Sequence, residues 1–177
     1  MSRIGFRHCD SRFPFIRNDS AQPAARWHAA GAGPANYFAD TPVGAWAEFL
    51  RHEGITDPLD LVGVARSLWA VELPDTGYAS PGIPAAVMLG DLTSYGACQA
   101  EAGRLRATAA ERIEAPSAAL LPGCARGWIA SPHEQDAPIA RDGRVWVLYG
   151  SAGALIGSPA VEAGAPPARV LPLVRQF

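Results

Sequence analysis

The stretch from Ala25 to Gly54, ARWHAAGAGPANYFADTPVGAWAEFLRHEG, constrains the fold more than any other part of the chain. Within it, Thr41-Pro42 is a strong helix start. Threonine as N-cap offers its oxygen to an orphan backbone N–H, and proline suits the first helical position, where no N–H is needed. Val43, Trp46, Ala47 and Leu50 follow at i, i+3, i+4 and i+7 and form one apolar face. Gly54 ends the run, because a residue that tolerates positive φ closes a helix readily. Asn36 to Ala39, short and aromatic, reads as a strand ending at Asp40. Glu48 sits roughly 140° from the centre of the apolar stripe at about 100° per residue. With the stripe against the core, Glu48 faces solvent or a cleft.

The rest of the chain supplies strands and a second helix. Ile4, Phe6 and His8 alternate with Arg3, Gly5 and Arg7 as in a first strand. Leu59 to Ala65 reads as a short helix, Ser67 to Leu73 as a strand closed by Pro74, and Tyr78 to Gly90 as a Pro/Gly-punctuated connection. Tyr95 to Ala110, rich in Ala, Leu, Glu and Arg, is the best helix after the first. Ile113 to Leu121 predicts a strand broken near Pro116; Trp128-Ile129 and Arg144 to Tyr149 predict further strands. Gly164 to Ala168 reads as a turn or linker. Arg169 to Val174 is expected as a last strand, confined by Pro172 to an edge or bulge. No internal repeat and no domain boundary stands out, so 177 residues predict one α+β domain spanning 1–177, with mixed sheets and a few helices.

Composition narrows the function classes. A formal net charge of −2 provides no field to draw the chain onto nucleic acid or an anionic membrane. All 15 basic residues are arginine. Without lysine, a P-loop phosphate site, a Schiff-base nucleophile and an internal pyridoxal aldimine are excluded. Cys9, Cys98 and Cys124 are widely spaced and form no CxxC, which predicts a reduced, cytoplasmic setting. His8, His28, His52 and His133 show no zinc-binding spacing, and no metal site is expected. The N-terminus is charged throughout, unlike a signal peptide. The uncharged run from Val145 to Val161 is broken by glycine, serine and proline, so it reads as a buried strand plus loop and not a membrane span. Gly150 to Gly157 (GSAGALIG) lacks the GxGxxG spacing of a dinucleotide fingerprint.

Arg26, Tyr37 and Glu48 lie eleven residues apart each time. A guanidinium can grip a diphosphate through two parallel hydrogen bonds, a phenol ring can stack on nicotinamide, and a carboxylate can steady the positive charge that builds on ribose as a glycosidic bond breaks. Gly31 and Gly33, after Arg26, are expected to let phosphate come close to backbone. Ser117 follows Pro116 without a GxSxG around it, so substrate positioning, not nucleophilic attack, is its expected role. His28 and His133 are further binding candidates. His52, in the last turn of the first helix, reads as a dipole contact, and the five tryptophans read as core.

Several stretches together resemble the RES domain family: Arg26-Trp27-His28 and its Gly-containing loop, Asn36-Tyr37-Phe38-Ala39, Thr41 to Glu48 (TPVGAWAE), Leu68 to Pro74 (LWAVELP), Tyr95 to Arg106 (YGACQAEAGRLR) and Glu114 to Ala119 (EAPSAA). The resemblance runs roughly from Phe6 to His133 and implies an ADP-ribosyltransferase-like fold. It also implies a toxin that consumes NAD, or transfers ADP-ribose to a protein, and is restrained by an Xre-type antitoxin. NAD is then a consumed substrate and no cofactor is required. The family's polar set falls on Arg26, Tyr37, Glu48 and Ser117.

Two other readings stay open from the residues alone. One is a nucleotide- or antitoxin-binding module of the same fold without turnover. The other is a nucleic-acid or metal-dependent enzyme, which the near-neutral charge and scattered Cys and His disfavour. Self-association is left open.

Overall fold

The computed structural model describes residues 3–13, 15–16, 18–19, 21–127, 137–150 and 153–177. The expected strand at Trp128-Ile129, together with His133, lies outside them. Among the described residues seven strands form one sheet: β1 (Arg3–Asp10), β2 (Ala35–Ala39), β3 (Arg66–Leu73), β4 (Tyr78–Ala79), β5 (Arg112–Pro116), β6 (Arg144–Tyr149) and β7 (Gly157–Gly164). Their order is β4-β5-β6-β2-β1-β3-β7. Every pairing is antiparallel except β4 with β5. Among the described residues three α-helices accompany them: α1 (Pro42–His52), α2 (Ala85–Met88) and α3 (Tyr95–Ala107). The class is therefore α+β, with the helices gathered beside an antiparallel sheet.

Strand alternation sorts the core into two sides. In β2 and β6, Ala35, Tyr37, Val145, Val147 and Tyr149 point toward α3, where they meet Cys98, Ala102 and Leu105. Phe38, Trp146 and Leu148 point the other way and pack with Val71, Leu73, Phe15 and Trp69. A third cluster joins Ala39 and Leu68 to Trp46, Phe49 and Leu50 of α1. Gly5, at the sheet centre, has no room for a side chain: a Cβ there would lie 2.5 Å from Leu73 Cδ1 and 2.8 Å from Phe38 Cβ.

The α1 helix forms for the reasons its sequence supplies. Thr41 is extended and its hydroxyl accepts from the Gly44 amide at 3.0 Å; Pro42 follows. Gly54 takes φ +66. The burial is wider than one stripe, however. Gly44, Ala45, Phe49 and Arg51 are buried alongside Trp46, Ala47 and Leu50, whereas Val43 is only partly so. The helix is wedged between the sheet and the C-terminal segment, so most of its circumference is covered.

Three sequence expectations are corrected. Residues 169–174 are not a strand; Ala168–Leu173 is a 3-10 helix containing Pro172, followed by a single bridge from Val174 to Leu120. The last strand is instead β7, paired with β3 across two register irregularities. It lies on the edge of the sheet, where Pro159 is tolerated. The connection from Tyr78 to Gly90 also contains β4 and α2. The expected short helix after Leu59 is a 3-10 turn at Pro58–Leu61. Among the described residues no helix is long and apolar enough to cross a membrane.

Candidate functional site

The site gathers where the end of β2, α1, the turn before β2 and the loop after β5 meet. That turn runs from Ala25 to His28, closed by Ala25 N–H to His28 O at 3.0 Å and His28 N–H to Ala25 O at 3.2 Å. Gln99 of α3 pins it by donating to Ala25 O at 3.0 Å. It buries Arg26, Trp27 and His28 together.

Tyr37, on β2, reaches that turn. Its hydroxyl accepts from the Trp27 amide at 2.9 Å and shares a 3.0 Å hydrogen bond with His28 Nδ1. Burial pushes the phenol pKa well above its usual range, and Tyr149, Tyr95 and Glu48 push it the same way. His28 is held below its ordinary pKa by burial first and by the charge of Arg106. Both groups are therefore neutral near pH 7, and His28 positions Tyr37.

Glu48, on α1, is half-buried and accepts a hydrogen bond from Ser117 Oγ at 3.1 Å. Burial raises its carboxyl pKa; the Ser117 hydrogen bond and the charges of Arg51, Arg26 and His52 pull the other way. Ser117 is buried just past the end of β5, with its amide donating to Gly143 O at 2.8 Å and its hydroxyl accepting from Ala119 N–H at 3.3 Å. A side chain at Gly143 would press to 3.1 Å from Ser117 Cβ, so the closeness of these two loops depends on that glycine.

Arg26 donates from Nη1 to Ser94 Oγ at 2.9 Å and from Nη2 to Gly90 O at 2.7 Å, and its guanidinium lies 4.6 Å from the Tyr95 ring centre. Arg51 joins it there. Arg51 Nη2 donates to the same Gly90 carbonyl at 3.0 Å, its Nη1 donates to Ala118 O, and the Phe177 ring covers it at 4.2 Å. Burial, then the charge of Arg26, lowers the Arg51 pKa from its usual value. Sequence reasoning missed Arg51. The available signal was its spacing, three residues after Glu48 on one helix, which puts both on neighbouring positions of the same side.

Arg26, Tyr37, Glu48, Ser117 and His28 are thus brought into one neighbourhood. Gly31 and Gly33 both have positive φ, 74° and 86°, which the turn conformation requires, and nothing lies within 4 Å of the missing Cβ at either. His52 is exposed at the end of α1. One cavity, about 390 Å³, is bordered by Glu111, Arg112, Tyr149 and Leu155 and touches none of these site residues. Another, about 70 Å³, has Ser117 on its wall with Leu89, Gly143 and Arg175. Chemistry, not volume, identifies the candidate site.

The fold is of the α+β class, a largely antiparallel sheet with buried guanidinium and hydroxyl groups and a half-buried phenol and carboxylate beside its first helix. The RES domain family matches residues 2–151, and the chain belongs to that family. No curated protein matches the chain. Among solved structures it is similar to a chain of the crystal structure of the M. tuberculosis MbcT–MbcA toxin–antitoxin complex. That likeness has a TM-score of 0.65 at 14% identity and covers 97% of this chain and 88% of that one, a similarity of fold.

Proposed function

We propose that the chain is a NAD-consuming enzyme that breaks the nicotinamide–ribose bond, and that it is the toxin of a toxin–antitoxin pair, with an Xre-type antitoxin as its partner in the cytoplasm. The observation that carries this reading is the Ser117–Glu48 hydrogen bond set among Arg26, Arg51 and Tyr37. Membership of the RES family and the likeness to a toxin–antitoxin complex support it. We also read 1–177 as one domain, because the segment beyond the family match packs against α1 and the Ser117 loop.

In this mechanism Arg26 binds the diphosphate and Tyr37 packs on nicotinamide. As the C1′–N bond breaks, its electron pair leaves with nicotinamide and positive charge develops on the ribose. The Glu48 carboxylate stabilises that charge, Ser117 holds the carboxylate in its ionised form by donating to it, and His28 fixes Tyr37. Water, phosphate or a protein side chain then takes the ribosyl carbon. NAD is spent and no other cofactor or metal takes part.

Purified protein incubated with NAD should release free nicotinamide, followed by chromatography, and Glu48→Gln should abolish most of it. No release from the wild type, or undiminished release from the variant, would refute the assignment. The second reading is a nucleotide- or antitoxin-binding module of the same fold without turnover, in which the same polar set holds a ligand. NAD binding in calorimetry with no product would select it.

A further inference from the structure

Arg26 and Arg51 are 7% and 4% exposed, yet among the described residues neither forms an ion pair. The fold pairs its carboxylates elsewhere: Glu101 with Arg104, Glu114 with Arg3 and Arg144, Asp40 with Arg141. What the two guanidinia hold instead is a neutral set, the Gly90 carbonyl that both share, the Ser94 hydroxyl and the Ala118 carbonyl. Their flat faces rest on Tyr95 and Phe177, so the N–H edges carry the remaining binding capacity. The Glu48 charge acts on both guanidinia, yet among the described residues no carboxylate hydrogen-bonds to either, so the two forks converge on one carbonyl oxygen whose place an anion could take.

The segment supplying the oxygen is lightly held. Neither α2 nor the 3-10 turn Leu92–Ser94 has a buried residue, and Leu92 is 61% exposed. Val87 and Met88 pack partly against the α3 cluster and Leu89 borders the small cavity beside Ser117, while the side-chain hydrogen bonds that tie Gly90 and Ser94 to the site come from Arg26 and Arg51. The Asp91 carboxylate is turned to its own loop, accepting from the amide and hydroxyl of Thr93 at 2.9 and 2.6 Å.

We propose that Arg51 is a second diphosphate-binding residue. Together with Arg26 it grips both phosphates of a dinucleotide, and the Gly90 carbonyl and Ser94 hydroxyl occupy those positions until the ligand displaces the 89–94 segment. The proposal rests on the dinucleotide reading above, and deepens it by naming the second cation and the part that moves. Phe177 acts as a positioning residue, holding the Arg51 fork in plane.

The test measures binding by calorimetry with two probes, ADP-ribose and inorganic pyrophosphate, and backbone hydrogen exchange of the wild type with and without pyrophosphate. Arg51→Gln should weaken both probes about 10- to 100-fold, as expected for losing a charge-assisted pair of hydrogen bonds. Arg51→Lys, which keeps the charge but not the fork, should lose less. Pyrophosphate should speed exchange at the amides of 89–94. Wild-type affinity in Arg51→Gln, or unchanged exchange in that segment, overturns the proposal. The exchange result decides the matter even if Arg51→Gln fails to fold. Pyrophosphate binding that is lost with Arg51→Gln in a protein that never releases nicotinamide keeps this subsite and removes the NAD-cleaving reading. Nicotinamide release that is untouched in Arg51→Gln does the reverse.

Discussion

Ser117 donates its hydroxyl to Glu48 across 3.1 Å, joining residues 69 positions apart in the chain. Burial raises the Glu48 pKa and this bond opposes the rise. Hydrogen bonding to the charged form favours ionisation. If the ionised carboxylate is the working form, activity increases as pH rises through its pKa. The acid limb of kcat/KM against pH should therefore lie above the ordinary glutamate range of about 4.3. Ser117→Ala should move that limb to still higher pH. A limb that stays in place in Ser117→Ala would detach Ser117 from the titration.

Glu48→Gln keeps the shape and an acceptor for Ser117 but removes the negative charge. The expected loss in kcat is on the order of 10²–10³, the usual cost of removing one preorganised electrostatic group. Because Glu48 is half-buried and the amide keeps the Ser117 hydrogen bond, the melting transition should shift far less than the activity. Low activity combined with an early melting transition would point to a folding role instead.

His8 links pH to stability. Its pKa falls to about 3, through burial first and then the charges of Arg66, Arg7 and His52; Arg66 donates to its Nδ1 at 3.1 Å, and its ring meets Phe49 edge-on at 5.2 Å. The unfolded chain takes up this proton near pH 6.5 and the folded chain does not. The contribution is therefore complete above pH 6.5 and is lost as pH falls from there toward 3, by at most about 1.4 kcal/mol per pH unit. Urea denaturation at pH 7 and pH 5 should show the decline, and His8→Gln should flatten it.

Two glycine-to-alanine substitutions should act in opposite directions. At Gly5 the new methyl would meet Leu73 Cδ1 at 2.5 Å and Phe38 Cβ at 2.8 Å, deep in the sheet, so a loss of about 1–3 kcal/mol is expected. At Gly103, within α3 and exposed, nothing lies within 4 Å. Alanine there should gain up to about 1 kcal/mol from helix propensity. Denaturant midpoints of the two variants should fall on either side of the wild type.

Much of the fold was legible because local and tertiary demands agree. Thr41, Pro42 and Gly54 bound α1 by their own backbone chemistry, and RVWVLY in β6 alternates between two buried sides. The edge strand β7 escaped because Gly-Ser-Pro-Ala carries little strand preference; its conformation comes from pairing with β3. The Ala168–Leu173 turn escaped for the converse reason: Val170, Leu171 and Val174 look like strand residues, but Pro172 cannot donate to a ladder. At the site, Arg26, Tyr37, Glu48 and Ser117 could be picked out from residue type, order and family likeness. Arg51 carries only the weak signal of its spacing from Glu48, because a charged residue on an amphipathic helix reads as solvated until the Phe177 segment is seen to cover it. The Gly90 carbonyl belongs to backbone, which side-chain patterns do not report.

The register of β2 has a further consequence. Tyr37 pairs with Val147 and points toward α3, while its neighbour Phe38 fills the opposite side of the sheet. A one-residue slip would exchange a phenol for a phenyl beside Glu48 and bury a hydroxyl among Leu73 and Trp146. Insertions or deletions in this five-residue strand would thus disturb the core and the candidate site in the same stroke, whereas point changes at the polar side chains would reach the site alone.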